Sequence, residues 1–240
     1  MCIDSHGIAG IIVAGVGHEA WMWLLEGDEE KMAVKVERAL LTVADKEGVV
    51  ELGRGLEMLG IELIATRGTA RVLRQAGVSV QLVSEVTGFP ETLDGRIKTL
   101  HPAIHVAILA KQTPAHRRQL QDLSLAPIGL VVVNPMLFEE IIQLPGIKPE
   151  EALEKVDVGG GALLRAAAKN YEAVAVVCDP GDYSMVLRAL RRRREVPYAM
   201  RAWLALKAFR LSAHYDVLVA EYLSQELSPM FKAARLKPRR

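Results

Sequence analysis

Residues 36–65 read VERALLTVADKEGVVELGRGLEMLGIELIA, and this stretch decides the fold class. Residues 36–43 form a nearly continuous apolar run, typical of a strand that is covered on both faces. Residues 48–59 place valine and leucine at three- and four-residue spacing, which indicates a helix with one apolar face. A second apolar run follows at residues 61–65. A strand, a helix and a strand joined by short turns predict a parallel, right-handed crossover.

The same alternation continues along the chain. Further strands are predicted at residues 78–83, 128–133 and 173–178, and further helices at residues 69–76 (with Thr69 as the cap), 150–155, 162–169, 182–194 and 198–223. We therefore predict an α/β fold with a parallel β-sheet flanked by helices on both faces, plus a C-terminal helical segment. The expected units are an apolar and acidic N-terminal extension (1–35), one domain (36–195), and a C-terminal helix with a basic tail (196–240).

Composition excludes several classes of protein. Half of the 240 residues are hydrophobic and a quarter are charged, which excludes general disorder. The net charge of +1 excludes a strongly basic nucleic-acid binder. That charge divides into −4 for residues 1–35, −4 for residues 36–187 and +9 for residues 188–240. We interpret the basic end as a solvated helix terminus and tail, with RNA binding as a weaker alternative.

The N-terminal extension does not suit a membrane span. Residues 7–25 are apolar but are interrupted by His18 and Glu19, so the uncharged part is shorter than the roughly 18–20 residues needed to cross a bilayer. We expect this segment to pack on the body or on a partner, and a misassigned start codon is the alternative. Cys2 and Cys178 lie far apart, which excludes a disulfide framework and predicts a cytoplasmic protein.

Two successive strand-to-helix loops carry a cation each. The first is TVADKEG at residues 42–48, with Lys46, and the second is ATRGT at residues 65–69, with Arg67. Helix N-termini present free N–H groups and a partial positive charge, which favour an anion. A pair of such loops predicts anion binding at the carboxyl edge of the sheet.

Residues 87–102 are rich in glycine, proline and polar side chains within an otherwise apolar body. The stretch is either an ordinary surface loop or a rigid segment that presents Arg96, Lys98 and His101 to a substrate. His101 and His105 have the spacing of metal ligands on a helix, but Pro102 argues against a regular helix there. We therefore predict no metal site.

Residues 156–170 read VDVGGGALLRAAAKN. Three glycines before a helix allow a ligand to approach the backbone closely. Asp157 stands just before them and Lys169 stands twelve positions later. Taken alone, these residues fit a ligand site and a capped helix with a cation at its C-terminus equally well.

Three separated motifs, in order, resemble one family: GFPETLDGRIKTLHPAIH (88–105), VDVGGGALLRAAAKN (156–170) and RAWLALKAFRLSAHYD (201–216). They are similar to the N-terminal IMP cyclohydrolase domain of bifunctional purine biosynthesis proteins, which has a methylglyoxal synthase-like fold. The resemblance covers residues 36–223 and implies a stand-alone domain, with no room for the formyltransferase. The implied reaction closes the ring of 5-formamidoimidazole-4-carboxamide ribotide to inosine monophosphate and water, without metal or cofactor.

The resemblance also implies site residues. Asp157 would orient and deprotonate the amide, Lys98 would stabilise the oxyanion, and Lys169 would shuttle a proton. Asn134 would meet the base. The implied substrate-binding residues are Thr42, Asp45, Lys46, Thr66, Arg67, Gly68, Thr69, Arg96, Thr99, Asn134, Val158 and Gly159.

Departures from the family's pattern keep a second hypothesis open. Ala44 replaces a serine, Arg67 replaces a glycine, and Met136 replaces a tyrosine that could donate a hydrogen bond. Gly161 and Ala162 replace a bulkier pair. The alternatives are a cyclohydrolase weakened at Met136, and a non-catalytic nucleotide- or phosphate-binding module or subunit of a separate formyltransferase. The resemblance implies a homodimer.

Overall fold

The computed structural model describes residues 34–234, so most of the predicted N-terminal extension and the last six residues lie outside the described part. The strands are β1 (Arg38–Val43), β2 (Glu62–Ala65), β3 (Gln81–Leu82), β4 (Leu130–Asn134) and β5 (Ala175–Val177). The helices are α1 (Val49–Met58), α2 (Arg67–Gln75), α3 (Val83–Thr87), α4 (Pro102–Leu109), α5 (Pro114–Asp122), α6 (Phe138–Ile142), α7 (Pro149–Glu154), α8 (Val158–Lys169), α9 (Tyr183–Arg193), α10 (Tyr198–Glu226) and α11 (Ser228–Ala233).

The five strands form one parallel sheet in the order β3-β2-β1-β4-β5. The predicted fold class is confirmed, and each of the five predicted strands is present; four lie within their predicted bounds, and β4 extends one residue further, to Asn134. Leu40 pairs with Ile64 on one side and with Val131 on the other. The chain moves outward from β1 to β3 and then returns to place β4 on the free side of β1. The strand order therefore reverses between β1 and β4, where parallel sheets leave a crevice for ligands.

A separate hydrophobic core lies on each face of the sheet. Along β1, Ala39 and Leu41 point into one core and Leu40 into the other, because successive side chains of a strand alternate. The long helix α10 contributes Leu204 to the first core and Ala205 to the second. The segment predicted as a C-terminal addition is thus packed into both cores of the domain.

Helices α3, α4, α5, α6 and α11 were not predicted from the sequence. Two predicted helices begin more than one residue earlier than expected: α8 begins at Val158 and not at residue 162, and α2 also begins early. Helix α2 begins at Arg67, after Thr66, and the predicted cap Thr69 lies inside its first turn. Helix α4 begins at Pro102, although this proline had argued against a helix. Proline is favoured in a first turn because its missing N–H would have no partner there, and the His101 ring accepts the N–H of Ala103 at 3.2 Å.

No helix within residues 34–234 is both long and apolar enough to cross a membrane. Arg191, Arg192 and Arg193 lie exposed in the last turn of α9, where cations interact favourably with the helix dipole. Arg194 ends that helix with a left-handed φ of 62°. The basic helix terminus inferred from the sequence is therefore present.

A buried arginine fastens α10 to the sheet. Arg201 is 1% exposed, and its guanidinium donates to the carbonyls of Tyr171 (2.8 Å), Glu172 (3.0 Å) and Val196. Tyr171 and Glu172 lie in the turn that enters β5, and Val196 precedes α10. Because a buried charge is stable only when its donors are satisfied, this cluster fixes where α10 begins.

We expect Arg201→Met to lower the free energy of unfolding by about 3 kcal/mol or more, because several buried carbonyls lose a charged donor. Urea unfolding followed by circular dichroism measures the change. The matched control is Arg210→Met, an exposed arginine on the same helix, for which we expect a change within about 0.5 kcal/mol. Equal effects of the two substitutions would contradict this role of Arg201.

Candidate functional site

A cleft of about 580 Å³ lies over the carboxyl ends of the central strands. Its walls are the loops after β1 and β2, the segment before α4, and the start of α8. Twelve of the residues implied by the family resemblance line it: Thr42, Lys46, Thr66, Gly68, Thr69, Arg96, Lys98, Thr99, Asn134, Asp157, Val158 and Gly159. Segments far apart in sequence thus meet where a parallel sheet is expected to bind its ligand.

Asn134 holds the loop after β1 in place. Its side-chain oxygen accepts the N–H groups of Ala44 (2.6 Å) and Asp45 (3.1 Å), and its side-chain nitrogen donates to the carbonyl of Asp45 (3.2 Å). The resemblance implies contact with a base, but here both polar atoms of the amide are engaged by the loop. The main role of the Asn134 side chain is therefore structural: it holds the loop after β1 at the point where the strand order reverses.

Lys46 brings a cation to the end of β1. Its ammonium group donates to the carbonyls of Val43 and, at 3.0 Å, Ala44. Burial lowers the pKa of Lys46, and although Asp45 opposes this shift, the nearby cations Arg71 and Lys98 add to it. An anion placed here would favour the protonated form, since it would offset those neighbouring positive charges.

The threonine hydroxyls of the cleft also bond to one another and to the backbone. Thr66 donates to Thr42 at 3.3 Å. The hydroxyl of Thr69, only 1% exposed, accepts the N–H of Val43 at 3.2 Å and so ties α2 to β1. Thr69 is therefore a support of the loop, whereas Thr42 and Thr66 present a pair of hydroxyls.

A strained turn presents Lys98. Leu93, Asp94 and Gly95 have successive left-handed φ values of 52°, 54° and 88°, an arrangement that costs energy for residues other than glycine. The turn is closed by a bridge between Thr92 and Ile97. Gly95 suits its left-handed φ, and the end of the Lys98 side chain lies next to it, since a Cβ on Gly95 would be 2.8 Å from Cε of Lys98. Nothing in the residue pattern predicted this contact.

Arg96 is engaged by a residue that sequence analysis missed. The guanidinium of Arg96 forms a bidentate ion pair with the carboxylate of Glu154 at the end of α7, and its Nε donates to Oε1 at 2.7 Å. The two side chains are 64% and 53% exposed, so solvent screens the ion pair and it contributes less to stability than a buried pair. Because Arg96 and Glu154 are separated by 58 positions, no local sequence pattern could have predicted this ion pair.

The glycines after Asp157 make room for the protein's own side chains. Asp157 caps α8, and its carboxylate accepts the N–H of Gly160 at 2.7 Å. A Cβ on Gly160 would overlap that carboxylate, and a Cβ on Gly159 would lie 3.0 Å from the hydroxyl of Thr99. The segment that carries Lys98 and Thr99 therefore lies directly against the segment that carries Asp157.

Three of the implied residues, all within the described part of the chain, lie elsewhere. Lys169 is the exposed last residue of α8, about 16 Å along the helix axis from Val158. Asp45 faces a neighbouring cavity. The guanidinium of Arg67 is 73% exposed and pairs with Glu91 at 3.7 Å. A proton shuttle by Lys169 stays a prediction of the resemblance, and this geometry does not support it.

The neighbouring cavity, of about 820 Å³, lies over the ends of β4 and β5 against α10. It shares Ala44, Asn134 and Met136 with the cleft, so Met136 stands between the two spaces. Lys207 lines the cavity and bonds Asp179 (2.5 Å) and Asp182 (2.7 Å). Burial opposes the charge of Lys207, but these hydrogen bonds outweigh it and raise its pKa.

The cysteine beside this cavity is not suited to nucleophilic chemistry. Cys178 is buried at the end of β5, and burial raises the pKa of its thiol to about 12. Because the thiolate is the reactive form, the thiol stays inert near neutral pH. Within residues 34–234 there is also no group of three or more histidine, cysteine or carboxylate side chains able to hold a metal ion.

Comparisons with known proteins identify the family of this chain. The family model of the MGS-like domain matches residues 48–162, and that of the AICARFT/IMPCHase bienzyme matches residues 167–239. The chain is 51% identical over 191 residues to the bifunctional purine biosynthesis protein PurH of Desulfitobacterium hafniense (strain DSM 10664 / DCB-2), covering 80% of this chain and 37% of that protein. It is 53% identical to PurH of Chloroflexus aurantiacus over 196 residues, covering 81% of this chain and 38% of the relative.

Among solved structures, the crystal structure of ForH superimposes with a TM-score of 0.70 at 40% identity, covering 78% of this chain and 99% of that one. The chain spans less than two fifths of the length of its PurH relatives, in the part that holds the cleft. The chain therefore belongs to the family of the AICARFT/IMPCHase bienzyme and contains its MGS-like domain.

Proposed function

We propose that this protein is an IMP cyclohydrolase that closes the ring of 5-formamidoimidazole-4-carboxamide ribotide to inosine monophosphate with loss of water. The observation that carries the proposal is the meeting of Lys98 and Asp157 in one cleft with the cations and hydroxyls that follow β1 and β2. Its family membership supports a role in purine biosynthesis.

The strand-end loops suit the phosphate and ribose of such a substrate. Lys46 supplies a cation at the N-terminal side of α1, and Thr42 and Thr66 supply hydroxyls next to it. Gly68 lies in the first turn of α2, where a Cβ would have no atom within 4 Å, so the backbone there is open to an anion. Free N–H groups of helix N-termini complete a site for a negatively charged group.

The chemistry requires a proton acceptor and an oxyanion stabiliser. As the carboxamide nitrogen attacks the formyl carbon, a C–N bond forms and the formyl oxygen gains negative charge. Asp157 is the group to accept the amide proton, and the Lys98 ammonium is the donor for the oxygen, which leaves as water after protonation. The hydrogen bond from Gly160 holds one oxygen of this carboxylate in place.

The formylated substrate must come from a formyl-transfer reaction. The PurH relatives are bifunctional proteins more than twice as long as the segment matched here. We propose that a separate formyltransferase supplies the substrate and that the cyclohydrolase acts as a homodimer.

A second candidate function is nucleotide binding without turnover. Met136 occupies the border of the cleft where the resemblance implies a tyrosine, and its thioether cannot donate a hydrogen bond. Ala44 likewise offers only its backbone N–H, which Asn134 already accepts. A protein that binds inosine monophosphate but gives no turnover above the spontaneous background would have this second function.

We expect Asp157→Asn and Lys98→Ala each to lower kcat about 100-fold or more, since each removes a group that acts on the reacting atoms. Formation of inosine monophosphate from the formylated ribotide is followed by absorbance. The control Asp122→Asn neutralises an exposed aspartate at the end of α5 and should leave the rate within about twofold. Unchanged rates in the Asp157 and Lys98 variants would refute their roles.

We expect Met136→Tyr to raise kcat about tenfold or more, because it adds a hydrogen-bond donor at the border of the cleft. Steady-state kinetics on the same substrate measure the gain. Met136→Leu is the matched control, since it changes the side chain without adding a donor. An equal gain in both variants would show that shape, and not a missing donor, determines the rate.

We expect Glu154→Gln to lower KM about threefold, because the substrate phosphate would no longer compete with a carboxylate for Arg96. The gain should shrink at high salt, since it depends on exposed charges. Glu150→Gln on the same helix is the control for a general change in charge. A rise in KM would mean that Glu154 holds Arg96 in its binding position.

A further inference from the structure

The long helix α10 holds the backbone of Asp157 through a hydrogen bond. The hydroxyl of Tyr215 accepts the N–H of Asp157 at 3.1 Å, although the two residues are 58 positions apart. Tyr215 is only 7% exposed. The helix cap uses the carboxylate of Asp157, not its N–H, so Tyr215 gives a partly buried donor its partner.

Aromatic packing fixes the ring of Tyr215. Phe138 of α6 is fully buried and meets Tyr215 edge-on, with 6.1 Å between ring centroids. Phe138 also meets Tyr222 edge-on at 5.5 Å. Helices α6, α7 and α10 share this small core, and Val156 packs against it. The hydroxyl therefore stands at a defined point, not at the end of a mobile side chain.

The start of α8 has open space on the side of Tyr215. A cavity of about 260 Å³ adjoins Asp157, and Gly161, Ala162 and Tyr215 line part of it. A Cβ on Gly161 would have no atom within 4 Å. The segment thus has open space beside it, and the hydrogen bond to Tyr215 ties its backbone to α10.

We infer that Tyr215 is a positioning residue, which keeps the Asp157 carboxylate at the cleft by holding its backbone against α10. The inference rests on the proposed function, since it assigns Tyr215 a role through Asp157. Burial raises the pKa of Tyr215, although the hydrogen bond from Asp157 opposes the shift. The hydroxyl therefore stays neutral and available as an acceptor near neutral pH.

Tyr215→Phe removes only the hydroxyl, and Tyr222→Phe is its matched control from the same aromatic cluster. In the full-length protein, we expect amide hydrogen exchange in residues 156–160 to quicken about tenfold in the first variant and to stay within twofold in the control. This measurement does not depend on turnover. Unchanged exchange in Tyr215→Phe would overturn the inference even if the protein is an active cyclohydrolase.

Turnover then separates positioning from a general loss of structure. We expect Tyr215→Phe to lower kcat about tenfold with KM within twofold, and to have no further effect on the rate that remains in Asp157→Asn. The same tenfold loss in both backgrounds would overturn the inference, because Tyr215 would then act independently of Asp157. If the native protein gives no turnover, the proposed function fails, and faster exchange still assigns Tyr215 to the Asp157 backbone.

Discussion

The amide of Asn134 joins the ends of two neighbouring strands through three hydrogen bonds to the loop after β1. The backbone reinforces this, since the Ala44 N–H also lies 3.0 Å from the carbonyl of Asn134. The loop leads into α1 and sets the position of Lys46. The cleft and the larger cavity beside it meet at Asn134 and Ala44, so the shapes of both spaces depend on this one brace.

The charged groups of the two spaces differ in how firmly they are already bound. Arg96 pairs with Glu154 in solvent, where an ion pair contributes little and a ligand exchanges with it easily. Lys207 is bonded to two aspartates in a more buried place, where separating the charges costs far more. Arg96 in the cleft can therefore exchange Glu154 for an incoming phosphate. Lys207 in the cavity stays bonded to its two aspartates and has a structural role. This contrast favours the cleft as the site for a small anion.

The sequence predicted the parallel sheet because an apolar run followed by a helix pattern depends only on local spacing. It also predicted that the loops after β1 and β2 lie together, since the carboxyl ends of neighbouring parallel strands must meet. The segments around Lys98 and Asp157 were assigned to a site only by the family resemblance. It could not reveal Glu154 or Tyr215, whose partners are 58 positions away in each case. The role of Lys169 is a different case, because it came from the family resemblance alone and stays a prediction. In this structure Lys169 is the last residue of α8, at the opposite end of the helix from Asp157.

The glycines at residues 159–161 show why the site and the fold are hard to separate. The sequence left open whether the space beside them serves a ligand, and at Gly160 and Gly159 it is taken by the Asp157 carboxylate and the Thr99 hydroxyl. The third leaves space behind the helix start, toward Tyr215. A helix start built from such small residues has little packing of its own, so its position must be set from outside. The long C-terminal helix supplies that constraint through Tyr215, and for this reason a domain that ended at residue 195 would lack the helix that holds the backbone of Asp157.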